Sequence, residues 1–435
     1  MKRIAFYYTN SKFADKNCKN ITDGNPGIGG TFYAMLQVLF GLQEKYSSSF
    51  VFFLFAEKKQ ILPDNINVVL TPDVYSLQVA LKEKHIDCLI VNKIGADTLT
   101  KNFFDQIRTA NVDVMVWCHC FVSNKGLNIL AKEPMVKTVI AVSKTQMLTW
   151  YDHDIYKKAT YIYNMCDFKN PSNVHFVKKG NDVVYVGAIN AIKGVHYLTH
   201  AWKYVLKKYP TSQLYIIGSG RLYNSNAVMG RFGIAEKFYE QKLLKPILRD
   251  GKIISSVHFL GIMGVEKWDV LNKCKVGVVN AGSWETFGYT MVEMQLAGLM
   301  VASLKSPGLL DTMYPDNGIL YDNPKKLATS IIQLLELENH DYDYDVGINY
   351  ISNNFSKDVI LKKWINLLQG REEAFGFNVV GNFKYLKVVK LNHNIRAVLK
   401  IMPSFILYRD WYLFFKRALC VLTQPKKIIF KMLNK

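Results

Sequence analysis

The sequence predicts an α/β protein with two doubly wound parallel-sheet domains that face each other across a cleft. Short apolar runs alternate with helix-like segments, and this alternation restarts after a polar stretch at residues 167–182. The length of 435 residues suits two or three domains of roughly 100–200 residues each. Continuous apolar strands between helices are typical of parallel sheets that are covered on both faces.

The first set of elements precedes the polar stretch. Apolar runs predict strands at Ile4–Tyr8, Phe50–Phe55, Val68–Leu70, Cys88–Val91, Val112–Trp117, Thr138–Val142 and Tyr161–Tyr163. Helical spacing predicts helices at Thr31–Gln43, Val74–Lys84, Thr98–Thr109 and Lys144–Tyr151. We expect a first domain over residues 1–168.

The second set follows the polar stretch, which is predicted to be a linker. Its predicted strands are Val183–Val186, Leu214–Ile217, Val257–Leu260, Val276–Val279, Met300–Ser303 and Gly318–Tyr321. Its predicted helices are Val195–Lys208, Ala235–Arg249, Val265–Cys274, Gly288–Ala297 and Pro324–Leu337. We expect a second domain over 169–355, a helix at Lys357–Leu368 within a segment 356–370 that packs back, and a helical extension over 371–435.

The positive charge is concentrated in the extension. The net charge is +20, and residues 374–435 hold twelve Lys and Arg but a single acid, Asp410, which leaves +9 for residues 1–373. The basic residues of the extension alternate with apolar and aromatic ones. Such segments suit anionic membrane surfaces, but a helix packed on its own domain with solvated lysines explains them equally well. Nucleic-acid binding is a third interpretation, and the extension lacks a recognisable nucleic-acid-binding fold.

Cysteine usage and hydropathy indicate a cytoplasmic protein. Seven scattered cysteines are too few for a disulfide framework, and no second cysteine pair accompanies Cys118 and Cys120 to form a zinc site. We therefore expect reduced thiols. No apolar stretch is long enough to predict a transmembrane helix or a signal peptide.

The most informative segment for function is residues 283–298. Between Glu285 and Lys305 the only charged residue is Glu293, within a predicted apolar helix. A buried carboxylate needs a hydrogen-bonding partner, and ribose hydroxyls are suitable. Free backbone N–H groups at the helix N-terminus near Gly288 suit a phosphate. The alternative is that Glu285 is a capping acid and that Glu293 pairs with a structural arginine.

The motifs of the chain, taken in order, resemble those of a known family. Glu285, Phe287, Gly288 and Glu293 resemble the Glu, seven residues, Glu signature of retaining glycosyltransferases of the glycogen-synthase-like "family four" (glycosyl transferases group 1). Further matching segments, which extend the resemblance over about residues 1–370, are Gly29–Thr31, Ala141–Ser143, Ile162–Asn164, Val186–Gly187, Lys193–Gly194, Leu214–Gly220 and Val257–Gly261. The resemblance implies two facing Rossmann-like domains, the GT-B architecture, with the acceptor on the N-terminal side and the nucleotide sugar on the C-terminal side.

The resemblance also implies roles for individual residues. Glu293 would hold the donor ribose, Glu285 would touch the transferred sugar and act in the chemistry, and Lys193 would contact the diphosphate. His119, at a strand end, would contact the transferred sugar as a second catalytic candidate, although a strand-end histidine is more often structural. The other implied donor-binding residues are Gly29, Gly30, Gly218, Gly261, Phe287, Gly288, Tyr289 and Thr290.

One position departs from the family pattern. The family has an arginine five residues before the phosphate-binding lysine, and this chain has Ala188 there. Half of the expected phosphate clamp is therefore in doubt. Arg221 is a candidate substitute.

The predicted function is transfer of a hexose-type sugar from a nucleotide donor, favouring UDP, to a saccharide or lipid-linked acceptor in cell-surface polysaccharide or lipopolysaccharide assembly. Retention of anomeric configuration and independence from metals are implied by the resemblance, and no cofactor is expected. With Glu293 assigned to the ribose, a front-face displacement fits better than a mechanism with two catalytic carboxylates. Two alternatives stay open: a sugar-nucleotide epimerase or hydrolase of the same architecture, and a non-catalytic basic protein that binds membranes or nucleic acid.

Overall fold

The computed structural model describes residues 1–92, 99–151, 153–166, 180–221, 227–282, 285–337 and 344–371. For Asn124 and Tyr344 the description covers the backbone alone. Most of the predicted linker and the whole basic segment 374–435 lie outside the described residues. The structure therefore does not test the predictions that this segment binds membranes or nucleic acid.

The first domain is built on a seven-stranded parallel sheet. Its strands are β1 (Lys2–Tyr8), β2 (Phe50–Ala56), β3 (Val68–Leu70), β4 (Cys88–Asn92), β5 (Asp113–Cys118), β6 (Val136–Ala141) and β7 (Ala159–Tyr161). Their order is β3-β2-β1-β4-β5-β6-β7, and in the register Ile4 lies opposite Phe52 and Cys88. The order reverses direction between β1 and β4, which makes this pair the switch point of the sheet.

Helices cover both faces of this sheet. They are α1 (Gly30–Tyr46), α2 (Val74–Glu83), α3 (Lys101–Ile107), α4 (Asn124–Lys132) and α5 (Lys144–Leu148), with 3₁₀ turns at Arg108–Ala110 and Asp154–Lys158. Because side chains alternate along a strand, Ile4 and Phe6 enter one apolar cluster while Ala5 enters another on the opposite face. Burial on both faces explains why the strands read as continuous apolar runs.

The second domain repeats this design with six parallel strands and a short hairpin. The strands are β8 (Val183–Val186), β9 (Leu214–Ile217), β10 (Leu248–Arg249), β11 (Lys252–Ile253), β12 (Val257–Gly261), β13 (Val276–Val279), β14 (Met300–Leu304) and β15 (Gly318–Tyr321). The sheet order is β12-β9-β8-β13-β14-β15, with β10 and β11 paired separately as an antiparallel hairpin. Here the switch point lies between β8 and β13.

The helices of the second half are α6 (Val195–Lys208), α7 (Lys237–Leu244), α8 (Lys267–Lys273), α9 (Tyr289–Leu296), α10 (Pro307–Thr312), α11 (Leu327–Glu336), α12 (Tyr344–Phe355) and α13 (Lys357–Leu368), with 3₁₀ turns at Lys245–Ile247 and Pro324–Lys326. The two-sheet α/β architecture predicted from the sequence is therefore confirmed. None of the helices in the described ranges is long and apolar enough to span a bilayer.

One predicted helix is wrong in extent. The segment Ala235–Arg249 was expected to be one helix, but α7 ends at Leu244 and a 3₁₀ turn with Pro246 follows. Proline has no N–H to continue the helical ladder. The chain then forms the hairpin, whose turn places Asp250 and Gly251 in the left-handed region with φ of 49° and 72°.

The last helix packs on the first domain. Trp364 is fully buried, with its ring 6.2 Å from that of Phe6 and 4.7 Å from that of Trp117. The Lys2 ammonium donates to the carbonyl of Leu368 at 2.9 Å. The chain thus crosses back after the second sheet, and α13 ties the two halves together.

Candidate functional site

Two loops leave the second sheet at its switch point, and they carry the main candidate residues. The loop after β8 contains Lys193 and leads into α6, while the loop after β13 contains Glu285 and leads into α9. Loops at the carboxyl ends of strands that flank a switch point form the usual ligand crevice of open parallel sheets. The fold therefore places these two residues side by side.

Close backbone contact fixes the position of Lys193. Gly194 has φ of 71°, and a Cβ atom there would lie 2.5 Å from the Cα of Gly282 in the other loop. Asn190 holds the turn, because its side-chain oxygen accepts from the Lys193 N–H at 2.9 Å. A side chain at Gly194 would push the two loops apart.

Lys193 and Glu285 form a half-buried ion pair. The Lys193 Nζ lies 2.5 Å from Oε2 of Glu285, and the Thr286 N–H donates to Oε1 at 3.1 Å. Burial alone would raise the pKa of Glu285, but the Lys193 charge and the backbone N–H groups of Thr286 and Phe287 outweigh it and lower the pKa below its usual value. Glu285 is therefore an anion at neutral pH, and both of its oxygens are engaged.

A second ion pair contains the other predicted carboxylate. Glu293 lies on α9, and its Oε1 accepts from the Lys267 ammonium of α8 at 2.6 Å. The two side chains are only 13% and 20% exposed. The partner of Glu293 is therefore a lysine and not the arginine considered from the sequence. Lys267 was not among the predicted site residues.

Glycine-capped helix N-termini from both domains meet at the cleft. α1 begins after Gly29 (φ 75°) and α9 after Gly288 (φ 91°), and neither has a side-chain cap. A Cβ atom at Gly30 would lie 3.6 Å from the Tyr289 ring, which also stands edge-on to the Tyr33 ring at 5.9 Å. Uncapped N-termini present backbone N–H groups and a positive dipole end, which suits an anionic ligand.

His119 lies at the junction of the two domains. The Thr286 hydroxyl donates to the His119 carbonyl at 2.6 Å, and the imidazole ring lies against Trp117 with centroids 4.4 Å apart. Burial lowers the pKa of His119 to about 3, although the Asn164 amide opposes this shift. Neither ring nitrogen has a hydrogen bond of normal geometry within the described chain. The imidazole is therefore neutral, and both of its nitrogens are buried at this junction.

Gly218 and Gly261 bring neighbouring strand ends together. The Gly218 N–H donates to the Gly261 carbonyl at 2.7 Å, and a Cβ atom at Gly218 would lie 1.8 Å from the Gly187 oxygen. Gly218 therefore has no room for a side chain, whereas Gly261 has open space but a positive φ of 72°. Their predicted contact with the donor stays a prediction.

The predicted donor residues on the Glu285–α9 segment differ in exposure. Phe287 is 2% exposed and packs against Tyr163 and Phe355, so a donor would meet its backbone rather than its ring. Tyr289 is partly buried and faces Gly30, and Thr290 follows it in the first turn of α9. A ligand at this helix start therefore meets mainly backbone.

The structure supplies no cation at Ala188. Ala188 is 2% exposed, and its carbonyl accepts from the Tyr185 hydroxyl at 3.1 Å. Arg221, the candidate substitute, is exposed beyond β9, with its backbone N–H bonded to the Ser219 hydroxyl at 3.1 Å. Across the described ranges, no three His, Cys, Asp or Glu side chains are grouped as metal ligands would be.

Residues 167–345, which include both lysines and both glutamates of the ion pairs, match the model of the family "Glycosyl transferases group 1". This segment is therefore similar to group 1 glycosyltransferases. This confirms the family resemblance found in the sequence.

Individual relatives agree with this family. An uncharacterised glycosyltransferase of Haemophilus influenzae is 27% identical over 243 residues, which cover 51% of this chain and 63% of that protein. The match thus spans less than two thirds of the relative's length.

Solved structures share the fold at low identity. A glycosyltransferase from Rickettsia africae superposes with a TM-score of 0.63 at 12% identity, covering 85% of this chain and 98% of that one. Anabaena HepE, crystallised in complex with UDP-glucose, superposes with a TM-score of 0.60 at 16% identity, covering 85% and 100%. At these identities the comparison shows the fold, which is GT-B.

Proposed function

We propose that this protein is a retaining glycosyltransferase that takes a sugar from a UDP-sugar donor and transfers it to a saccharide or lipid-linked acceptor. The observation that carries the proposal is the pair of lysine–glutamate contacts within the segment that matches the group 1 model, Lys193 with Glu285 at the switch point and Lys267 with Glu293 between α8 and α9. The UDP-glucose bound to Anabaena HepE favours UDP as the nucleotide.

In this proposal the protein's main task is to stabilise the departing diphosphate. As the bond between the anomeric carbon and the phosphate oxygen breaks, its electron pair leaves with UDP. A fixed cation such as Lys193 stabilises the charge that develops there. The acceptor hydroxyl attacks the same face of the sugar, and its proton passes to an oxygen of the leaving phosphate.

The state of Glu285 supports a front-face displacement. A double displacement needs a carboxylate with an oxygen free to attack the anomeric carbon. Both oxygens of Glu285 hold protein donors, and the lowered pKa of this group makes it a poor proton donor. We assign Glu285 to the placement of Lys193 and to the stabilisation of positive charge on the sugar, and His119 to a sugar hydroxyl.

The wider setting belongs to the same proposal. We place the reaction in cell-surface polysaccharide or lipopolysaccharide assembly, at the cytoplasmic side of the membrane, with the basic segment 374–435 as the part that meets anionic lipid. Flotation of the full chain with anionic liposomes, compared with a chain ending at Gly370, tests this. Equal flotation of the two proteins would reject the docking.

The activity is tested by nucleotide release from the purified full chain. UDP-glucose, UDP-galactose, UDP-N-acetylglucosamine and GDP-mannose are incubated with and without a mixture of saccharide acceptors. We expect one UDP-sugar to release UDP rapidly only when acceptor is present, with product that keeps the anomeric configuration. Equal release without acceptor would favour a hydrolase or epimerase. The absence of stabilisation by millimolar UDP or GDP in a thermal-shift assay would favour a non-catalytic protein, because a ligand of the native state must raise stability.

A further inference from the structure

Lys267 holds one oxygen of Glu293 and leaves the other available. The Nζ of Lys267 lies 2.6 Å from Oε1 of Glu293. Within the described residues, Oε2 of Glu293 makes no hydrogen bond. A carboxylate accepts through both oxygens, so one acceptor is fixed by the protein and the second is open.

The ammonium that fixes Glu293 is itself held in place. Lys267 begins α8, a separate helix from the one that carries Glu293. The next residue, Trp268, packs against apolar clusters of both domains, and Leu271 of the same helix is fully buried. The position of the cation therefore follows from the packing of α8.

Glu293 lies beside the cleft between the domains. Glu293 follows Tyr289 by one turn of α9, and the Tyr289 ring faces Gly30 of the first sheet's first helix. Burial raises the pKa of the Cys166 thiol, and the negative charge of Glu293 adds to that rise. A carboxylate held there on one oxygen can direct its other oxygen at a hydroxyl of a ligand in the cleft.

We propose that Lys267 is the positioning residue that orients Glu293 for recognition of the donor's ribose hydroxyls. This inference rests on the proposed function and adds a residue to it. Without the ammonium, the carboxylate loses the partner that fixes its plane, and a mostly buried charge is left unpaired. Sites that hydrogen-bond a ligand hydroxyl reject analogues that lack it, so Lys267 governs the preference for ribose over deoxyribose.

The test compares binding of UDP, 2′-deoxy-UDP and 3′-deoxy-UDP to the full chain by calorimetry. We expect the wild-type protein to bind UDP at least about tenfold more tightly than one of the deoxy analogues. Lys267→Met should lose most of this preference, and Lys267→Arg should keep it. Lys273→Met, at the exposed far end of the same helix, is the matched control and should behave as wild type.

Two further measurements separate positioning from a structural role. At saturating donor, Lys267→Met should keep kcat within about twofold while its donor KM rises about tenfold. In a Glu293→Gln background, Lys267→Met should add no further loss of preference, because the two residues act as a unit. Lys267→Gln repeats the comparison if Lys267→Met does not fold.

The inference is overturned if Lys267→Met binds UDP and keeps the wild-type preference for UDP over the deoxy analogues. It is also overturned if the losses of that preference in the Lys267 and Glu293 single variants add in the double variant. Failure of the proposed function looks different. In that case the wild-type protein binds none of the three nucleotides, and the proposed function and the inference about Lys267 both fail.

Discussion

Glu285 and Glu293 are each paired with a lysine at nearly the same distance, 2.5 Å and 2.6 Å, yet the protein treats them differently. Glu285 has both oxygens engaged, by Lys193 and by the Thr286 N–H. Glu293 is engaged through a single oxygen within the described chain. A carboxylate held at both oxygens acts as a fixed charge, whereas one held at a single oxygen remains an acceptor. We therefore expect the two pairs to meet different parts of one ligand.

The largest expected effect comes from breaking the Lys193–Glu285 pair. Lys193→Ala and Glu285→Gln should each lower kcat about 10²–10³-fold, the usual cost of removing one group that stabilises developing charge. The donor KM should change much less. Steady-state kinetics at varied donor concentration measure both quantities.

The control for this prediction is Lys208→Ala. Lys208 also pairs with a glutamate, Glu336, but it lies at the opposite end of α6 and is about half exposed. Wild-type kinetics are expected for it. If Lys193→Ala has normal kcat, the assignment of this pair to the chemistry fails.

Breaking the second pair should affect binding rather than turnover. Glu293→Ala should raise the donor KM about 10–100-fold, with a smaller change in kcat, because the ribose contact is made in the ground state and in the transition state alike. The surface variant Glu336→Gln serves as the control. An unchanged KM in Glu293→Ala would show that the open oxygen does not meet the donor.

Two glycine substitutions test the contact between the loop that carries Lys193 and the loop that carries Glu285. Gly194 and Gly233 have similar φ, 71° and 68°, but a Cβ atom would lie 2.5 Å from Gly282 at the first and have no atom within 4 Å at the second. Gly194→Ala should therefore lower the free energy of unfolding by about 1–3 kcal/mol more than Gly233→Ala. Chemical denaturation measures this, and equal losses would mean that backbone strain alone is responsible.

The smallest expected effect concerns His119, whose ring should stay uncharged beside the two ion pairs. Its pKa is lowered to about 3, so its NMR signals should show no titration between pH 5 and 8. The unfolded chain takes up this proton below about pH 6.5. His119 should therefore cost stability as the pH falls from 6.5 towards 3, and His119→Gln should remove that loss. A titration midpoint between pH 5 and 8 would contradict the buried, neutral ring.

The sequence allowed the strands of both sheets and the helix Lys357–Leu368 to be predicted because their apolar periodicity is strong. It did not allow the end of α7 to be predicted, where Pro246 stops a pattern that otherwise continues. At the site, Glu285, Glu293 and Lys193 were found through local motifs. Lys267 was missed because it lies 26 residues from Glu293 in sequence, and the packing of α8 is what brings them together.

The most direct test of the central claim, that the two pairs receive a nucleoside diphosphate, is calorimetric titration of UDP into the full chain and its Glu293→Ala variant. We expect the wild-type protein to bind one UDP with a dissociation constant below about 1 mM, which corresponds to about −4 kcal/mol. The Glu293→Ala variant should bind at least about tenfold more weakly. A folded wild-type protein that binds neither UDP nor GDP at millimolar concentration would contradict the account.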